Sequence, residues 1–134
     1  RLNINTGGGD AHTSERYMTA ISRSRACVIA DVRKAYSAGF RIAARSHIVK
    51  YSNSSRFMHH NGYCGYPSPS CLASLVRKGK QFLFIFTKAE RRTIVNGRDV
   101  FLRGVEVRAR TKHLRKSTNP LSGRNQDRYG RCRK

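Results

Sequence analysis

Basic side chains dominate the chemistry that this 134-residue sequence can offer. Lys and Arg number 28 against seven Asp and Glu, which gives a formal net charge of +21. Such a charge attracts polyanions, whether nucleic acid, sulfated glycan or an acidic membrane surface. Guanidinium groups suit both phosphate and sulfate, because their planar fork can donate two parallel hydrogen bonds. The side chains expected to bind a polyanion are Arg77, Lys78, Lys80, Arg91, Arg92, Arg108, Arg110, Lys112, Arg115, Lys116, Arg124, Arg128, Arg131, Arg133 and Lys134.

Catalytic residues are not indicated by any sequence pattern. The seven acids form no close pair and no obvious arrangement with serine, cysteine or histidine: Asp10, Glu15, Asp31, Glu90, Asp99, Glu106 and Asp127. Only residues from distant segments could assemble such a group, and nothing in the sequence points to one. We therefore expect a non-enzymatic protein that uses no cofactor.

The cysteines are even in number, and their spacing matches no common metal or redox motif. They are Cys27, Cys64, Cys71 and Cys132. Disulfides would indicate an oxidising compartment. The triplet that begins at Asn53 fits an N-glycosylation acceptor, which points the same way. The alternative is a zinc site, for which four ligands are available. Its ligands would be His59, His60, Cys64 and Cys71.

The first half of the chain is predicted to form a helix and then a β-hairpin. Helical spacing covers Asp10 to Arg25, with Thr13 or Ser14 as the capping residue. The strand that begins at Cys27 is followed by a turn at residues 37–39. In residues 40–51, apolar and polar side chains alternate. A period of two predicts a strand with one buried face, so these two strands should pair in antiparallel fashion.

The second half is predicted to contain a loop, two further β elements and a basic helix. Residues 52–70 are rich in Ser, Gly, Asn and Pro, as is typical of loops. The unbroken apolar run Phe82–Phe86 is typical of a strand covered on both faces. Asn96-Gly97 indicates a second hairpin. Helical spacing extends from Val105 to about Lys116.

This order of elements and cysteines resembles the netrin-like module, the C-terminal domain of netrins. The matching pieces are the strand at Cys27, the pair Cys64 and Cys71 followed by VRKGKQFLFIF, and the arginine-rich run that closes with GRCRK. The resemblance implies a netrin-like domain over residues 26–134, preceded by a partly flexible N-terminal segment, residues 1–25. The implied fold is mainly β with flanking helices (α+β): an OB-like five-stranded barrel with a basic C-terminal helix.

The resemblance also implies a pattern of disulfides. Cys27 corresponds to the third cysteine of the family and Cys132 to the sixth, which pair with each other. Cys64 and Cys71 correspond to the fourth and fifth, whose N-terminal partners are absent from this chain. They would pair with each other or with partners lost upstream.

These features predict a secreted, extracellular module that binds heparan sulfate or a similar polyanion and localises a larger protein. Its expected partners are heparin-like glycans and, from the netrin branch, a cell-surface receptor, without membrane insertion. The alternative is an intracellular nucleic-acid-binding protein, such as a ribosomal or organelle-ribosomal component with reduced cysteines. A basic viral capsid or core protein is a third option.

Overall fold

The computed structural model describes residues 1–62, 68–112 and 132. These residues form an open mixed sheet with the strand order β1-β2-β3-β4. The strands are β1 (Leu2–Thr6), β2 (Ile29–Tyr36), β3 (Ile48–His59) and β4 (Val100–Arg103). Strands β1, β2 and β3 run parallel, and β4 is antiparallel to β3. Parallel neighbours need long crossover connections, and helices provide them here.

Five α-helices and one 3₁₀ turn complete the described part of the chain. They are α1 (Ala11–Arg23), α2 (Ala38–Arg45), α3 (Pro69–Gly79), the 3₁₀ turn (Lys80–Phe82), α4 (Lys88–Val95) and α5 (Gly104–Thr111). Helices α1 and α2 are the two crossovers, and they pack against each other while α2 contacts all three parallel strands. No helix among these residues is both long and apolar enough to cross a bilayer.

The barrel predicted from the sequence is wrong, because the sheet is open and has four strands. The antiparallel hairpin expected over residues 27–51 is instead a parallel unit, β2–α2–β3. Phe40, Ala43 and Ala44 are all buried, at the i, i+3 and i+4 spacing of a helix face. The apolar residues of this segment therefore fit both the period of two of a strand and the period of a helix. Burial of the helical face against the sheet decides in favour of the helix.

The apolar run Phe82–Phe86 is not a strand either. It begins at the end of the 3₁₀ turn and continues as a turn. Phe82, Ile85 and Phe86 are buried, whereas Phe84 is 55% exposed. The run is apolar because most of its side chains enter the core from one compact turn, and not because a strand is covered on both faces.

Helix α4 and strand β4 replace the second predicted hairpin. Asn96-Gly97 lies at the turn between them, and Gly97 has φ +78°, a conformation that glycine adopts readily. Helix α4 begins with a capping box: the side chain of Thr87 accepts from the N–H of Glu90, and Glu90 accepts from the N–H of Thr87. This Thr-x-x-Glu pattern is a sequence signal for a helix start.

Two helix predictions are confirmed within the described residues. Helix α1 lies inside the predicted segment Asp10–Arg25, although Asp10 caps it by accepting from the N–H of Thr13 at 2.6 Å. Helix α5 begins one residue before the predicted Val105. Residues 113–116 lie outside the described part. Residues 1–25, expected as a separate segment, supply the edge strand β1 and helix α1.

The disulfide between Cys27 and Cys132 is present, as the resemblance implied, and it joins residues 105 apart in sequence. Cys71 is not a free thiol either. Its expected partner Cys64 lies outside the described residues.

His59 is enclosed in the aromatic core. It is fully buried, and its ring centroid lies 4.9 Å from that of Phe40 and 5.8 Å from that of Phe86. Neither ring nitrogen has a hydrogen-bond partner within the described structure. Burial, followed by the charges of Arg41 and His60, lowers the pKa of His59 from 6.5 to about 3. The ring is therefore neutral at physiological pH.

We expect the free energy of unfolding to fall as the pH drops below about 6.5, and the substitution His59→Phe to reduce that loss. Unfolded His59 protonates near pH 6.5 but folded His59 only near 3. In that window the unfolded state binds more protons, so its population grows as pH falls. The contribution of His59 is at most about 1.4 kcal/mol per pH unit. Urea unfolding at neutral and mildly acidic pH measures it, and the exposed His12→Gln serves as control. Equal slopes in wild type and His59→Phe would contradict the assignment.

Candidate active site

Three neighbouring strand ends meet at one edge of the sheet. Because β1, β2 and β3 are parallel, their carboxyl ends lie side by side, the position at which open α/β sheets bind ligands. Strand β1 is followed by Gly7-Gly8-Gly9, β2 by Ser37 and β3 by His60. Strand β4 begins at the same edge, since Val100 pairs with His59, and this places Asp99 beside His60.

Ser37, His60 and Asp99 form a connected polar chain. The Oγ atom of Ser37 lies 2.6 Å from Nε2 of His60. Nδ1 of the same ring lies 3.3 Å from Oδ1 of Asp99. In this order of groups, an imidazole can take the hydroxyl proton while the carboxylate holds the ring in the required tautomer and orientation. Sequence patterns did not indicate the arrangement, since 23 positions separate Ser37 from His60.

The backbone of Ser37 forms a strained turn between β2 and α2. Its φ is 52° and its ψ is −112°, and no other non-glycine residue in the described structure has a positive φ. The N–H of Ser37 donates to the carbonyl oxygen of Met58 at 2.9 Å, which holds the turn against β3. Strain of this kind concentrates at functional sites. A serine on a sharp strand-to-helix turn is also the nucleophile elbow of α/β-hydrolases, where it exposes the hydroxyl.

Small residues on either side of Ser37 permit this turn. Ala35 is fully buried. Gly39 lies so close to β1 that a Cβ at this position would be 2.4 Å from Cγ2 of Thr6. The sequence Ala-Tyr-Ser-Ala-Gly after a β-branched run was therefore the available signal. The same stretch also predicts a hairpin turn, because Ser, Ala and Gly are ordinary turn residues.

The glycine loop after β1 packs directly on Ser37. Gly8 has φ +117°, and a Cβ on it would lie 3.0 Å from Cβ of Ser37 and 3.3 Å from the carbonyl oxygen of Tyr36. A larger residue could not approach the serine in this way. The N–H groups in the first turn of α2, which begins at Ala38, have no carbonyl partner within the helix. They are the donors available to stabilise an oxyanion that develops beside Ser37.

An open cavity of about 250 Å³ lies in front of the serine. Its lining combines the glycine loop, the first turns of α1 and α2, and the segment after β3. The lining residues are Gly9, Asp10, Ala11, Ser14, Ser37, Ala38, Arg41, His60 and Gly62. Two helix N-termini border the cavity, and their dipoles favour negative charge. The cavity is therefore suited to a small substrate that carries or develops negative charge.

The described basic residues that were expected to bind a polyanion are spread over helices α3, α4 and α5 and the turns beside them. Lys78 pairs with Glu15 at 2.6 Å. Arg110 binds Glu90 through two hydrogen bonds of 2.7 and 3.0 Å, and its hydrogen bond is the main reason why the pKa of Glu90 is lowered. Arg108 donates to the carbonyl oxygen of Tyr51 at 3.1 Å.

The rest of that basic set is either exposed or lies outside the described residues. The exposed members are Arg77, Lys80, Arg91, Arg92 and Lys112. Those outside the described part are Arg115, Lys116, Arg124, Arg128, Arg131, Arg133 and Lys134.

A second basic cluster, which the sequence did not indicate, lies along the exposed positions of the sheet. Strand β3 is irregular between Tyr51 and Arg56, which pair with Val32 and Lys34 of β2. A groove of about 1020 Å³, which we call the outer groove, is lined by residues of this irregular segment and of β1 and β2. Its basic lining residues are Arg33, Lys34, Lys50 and Arg56. The glycosylation candidate Asn53 is exposed in the same irregular segment.

The two adjacent histidines have different environments. His59 is enclosed in the core, whereas His60 lines the cavity beside Ser37. Their rings therefore do not converge on one metal ion, as the zinc alternative would require. In residues 1–62, 68–112 and 132, no group of three or more His, Cys, Asp or Glu side chains could hold a metal ion.

Comparison with known proteins adds no assignment to this geometry. No protein-family model matches the chain, and no curated protein matches it significantly. The arrangement around Ser37 is therefore the basis on which a function can be proposed.

Proposed function

We propose that the protein is a serine hydrolase that cleaves small esters. Ser37 is the nucleophile, His60 the general base and acid, and Asp99 the residue that orients His60. The observation that carries the proposal is the 2.6 Å hydrogen bond from Ser37 to His60, made by a serine with φ 52° at a strand-to-helix turn. An ordinary surface serine needs neither a strained backbone nor an imidazole partner that itself lies 3.3 Å from a carboxylate.

The reaction follows from these positions. Nε2 of His60 takes the proton of Ser37 as Oγ attacks the ester carbonyl, and the first-turn N–H groups of α2 stabilise the oxyanion. The proton on His60 then passes to the leaving alcohol as the carbon–oxygen bond breaks, which leaves an acyl group on Ser37. A water molecule, deprotonated by His60, attacks this acyl group. Return of the proton to Oγ releases the carboxylic acid and restores the enzyme.

A fluorophosphonate probe tests the proposal, because it reacts with a serine hydroxyl that is activated by a base. We expect one equivalent of probe on Ser37, identified by intact mass and peptide mapping. Ser37→Ala and His60→Ala should not be labelled. Ser54→Ala, which removes an exposed serine of the outer groove, should be labelled as wild type is. Labelling elsewhere, or none, would return the protein to the non-enzymatic class predicted from its sequence.

A second function, polyanion binding, is supported by the outer groove, whose lining includes four basic residues and one acidic residue, Asp31. We propose a sulfated glycan as the polyanion, as the sequence favoured. The Cys27–Cys132 disulfide supports an oxidising compartment and therefore secretion. Nucleic acid is the competing ligand, since counterion release favours any polyanion at low salt.

We expect the triple variant Arg33→Ala, Lys50→Ala, Arg56→Ala to weaken heparin binding more than Arg77→Ala, Lys80→Ala, Arg92→Ala does. Both variants remove three charges, but only the first removes charges that line one groove. A salt titration of each protein with heparin and with single-stranded RNA of equal length measures the difference. Equal losses of heparin affinity in the two variants would show that heparin is attracted by the charge of the whole protein and not by one groove. Tighter binding of RNA than of heparin at physiological salt would favour the nucleic-acid alternative.

A further inference from the structure

Arg41 is a buried cation whose guanidinium group has no hydrogen-bonded counter-ion among the described residues. The residue is 5% exposed, and its guanidinium group makes no hydrogen bond or ion pair with any described residue. Its Cζ atom lies 5.8 Å from the ring centroid of Phe82, within cation–π distance. Burial lowers the pKa of Arg41, while the charge of Glu15 opposes that effect. Buried charged groups are ordinarily paired and hydrogen-bonded, so this one requires an explanation.

The carboxylates near Arg41 are already engaged. Glu15 accepts a hydrogen bond from Nζ of Lys78 at 2.6 Å. Asp10, which lines the same cavity as Arg41, caps α1 by accepting from the N–H of Thr13 at 2.6 Å. Neither carboxylate is hydrogen-bonded to the guanidinium group. An anion that enters from outside could therefore supply the missing partner.

Arg41 is placed to meet such an anion beside the nucleophile. The N–H of Arg41 donates to the carbonyl oxygen of Ser37 at 3.2 Å, and both residues line the cavity of about 250 Å³. The five N–H donors of a guanidinium group match a carboxylate in a two-point geometry. The net charge of +21 also attracts anionic ligands towards the protein.

We infer that Arg41 binds a carboxylate of the substrate, so that the esters cleaved at Ser37 are those that carry a carboxylate on the acyl side. The inference rests on the proposed hydrolase function. Arg41 would form its ion pair within the same cavity in which the ester carbonyl approaches Ser37. The guanidinium group of Arg41 would thus set substrate specificity and would take no part in proton transfer.

Two matched esters test this specificity. Mono(4-nitrophenyl) succinate carries the carboxylate, and its methyl ester has the same acyl chain with that charge removed. We expect wild type to have at least a ten-fold higher kcat/KM for the charged ester, mainly through KM. Arg41→Gln should lose this preference, so that its kcat/KM for the charged ester falls to its value for the methyl ester. Arg45→Gln removes one charge from the same helix and should keep the preference. Arg41 and Arg45 both line the neighbouring cavity, but only Arg41 also lines the cavity of Ser37, and Arg45 donates to Oγ of Ser22 at 2.9 Å.

A binding measurement separates failure of this inference from failure of the hydrolase proposal. Titration of Ser37→Ala protein with succinate should show one site that the added substitution Arg41→Gln abolishes. Arg41-dependent binding without hydrolysis of either ester would overturn the hydrolase function and leave the anion site. Hydrolysis of both esters with no preference in wild type would overturn the role of Arg41. Should Arg41→Gln fail to fold, two other measurements decide whether Arg41 sets specificity. They are the preference of wild type for the charged ester and the preference of Arg41→Lys, which keeps the charge but loses the two-point geometry of the guanidinium group.

Discussion

Replacing Ser37 by Ala should lower kcat for a 4-nitrophenyl ester by a factor on the order of 10⁴ to 10⁶. The reason is the loss of the hydroxyl oxygen that lies 2.6 Å from Nε2 of His60 and forms the acyl intermediate. His60→Ala should cause a similar loss, because the hydroxyl then keeps its proton. Asp99→Asn should lower kcat less than either of these variants, since Asp99 orients the ring of His60 and does not touch the substrate.

The decisive feature is that these losses should not add. Groups that act in one step fail together, so Ser37→Ala with His60→Ala should be about as slow as either single variant. Stopped-flow or steady-state assays at a fixed enzyme concentration measure kcat for wild type, for the two single variants and for the double variant. Ser54→Ala serves as the unaffected serine variant. Additive losses, or a Ser37→Ala protein that retains most of its activity, would show that hydrolysis occurs elsewhere.

Removal of the Cys27–Cys132 disulfide should lower the free energy of unfolding by about 4–5 kcal/mol. The crosslink joins residues 105 apart, and closing so long a loop strongly restricts the unfolded chain. The paired substitution Cys27→Ser, Cys132→Ser is preferable to a reducing agent, because Cys71 is also disulfide-bonded. Urea unfolding of oxidised wild type and of the double variant measures the difference.

The same double variant should keep its catalytic activity under conditions in which it remains folded. Cys27 precedes β2, whereas Ser37 follows it, so the disulfide and the site lie at opposite ends of that strand. Activity on 4-nitrophenyl acetate at low temperature provides the control. A stability loss below about 1 kcal/mol would mean that the unfolded chain is already compact without the crosslink.

Local signals were sufficient for some elements and misleading for others. Helix α5 and helix α1 could be predicted, because their apolar residues fit a helical spacing and a carboxylate at the start of each accepts from a backbone N–H, Asp10 in α1 and Glu106 in α5. Helix α2 could not, since Phe40–Ile48 fits both a period of two and a helical period. The choice depended on α1 and the sheet being present to bury Phe40, Ala43 and Ala44.

By itself, the sequence determined the properties that are summed over the chain or carried by single residues. These are the net charge of +21, the even set of cysteines and the absence of a close catalytic pair along the chain. The tertiary structure decided which residues meet. Parallel pairing of β2 with β3 brings Ser37 and His60 to one edge, and antiparallel β4 adds Asp99. Strand direction and register set these distances. They depend on how helices pack on the sheet, which is why residues far apart in sequence form one site.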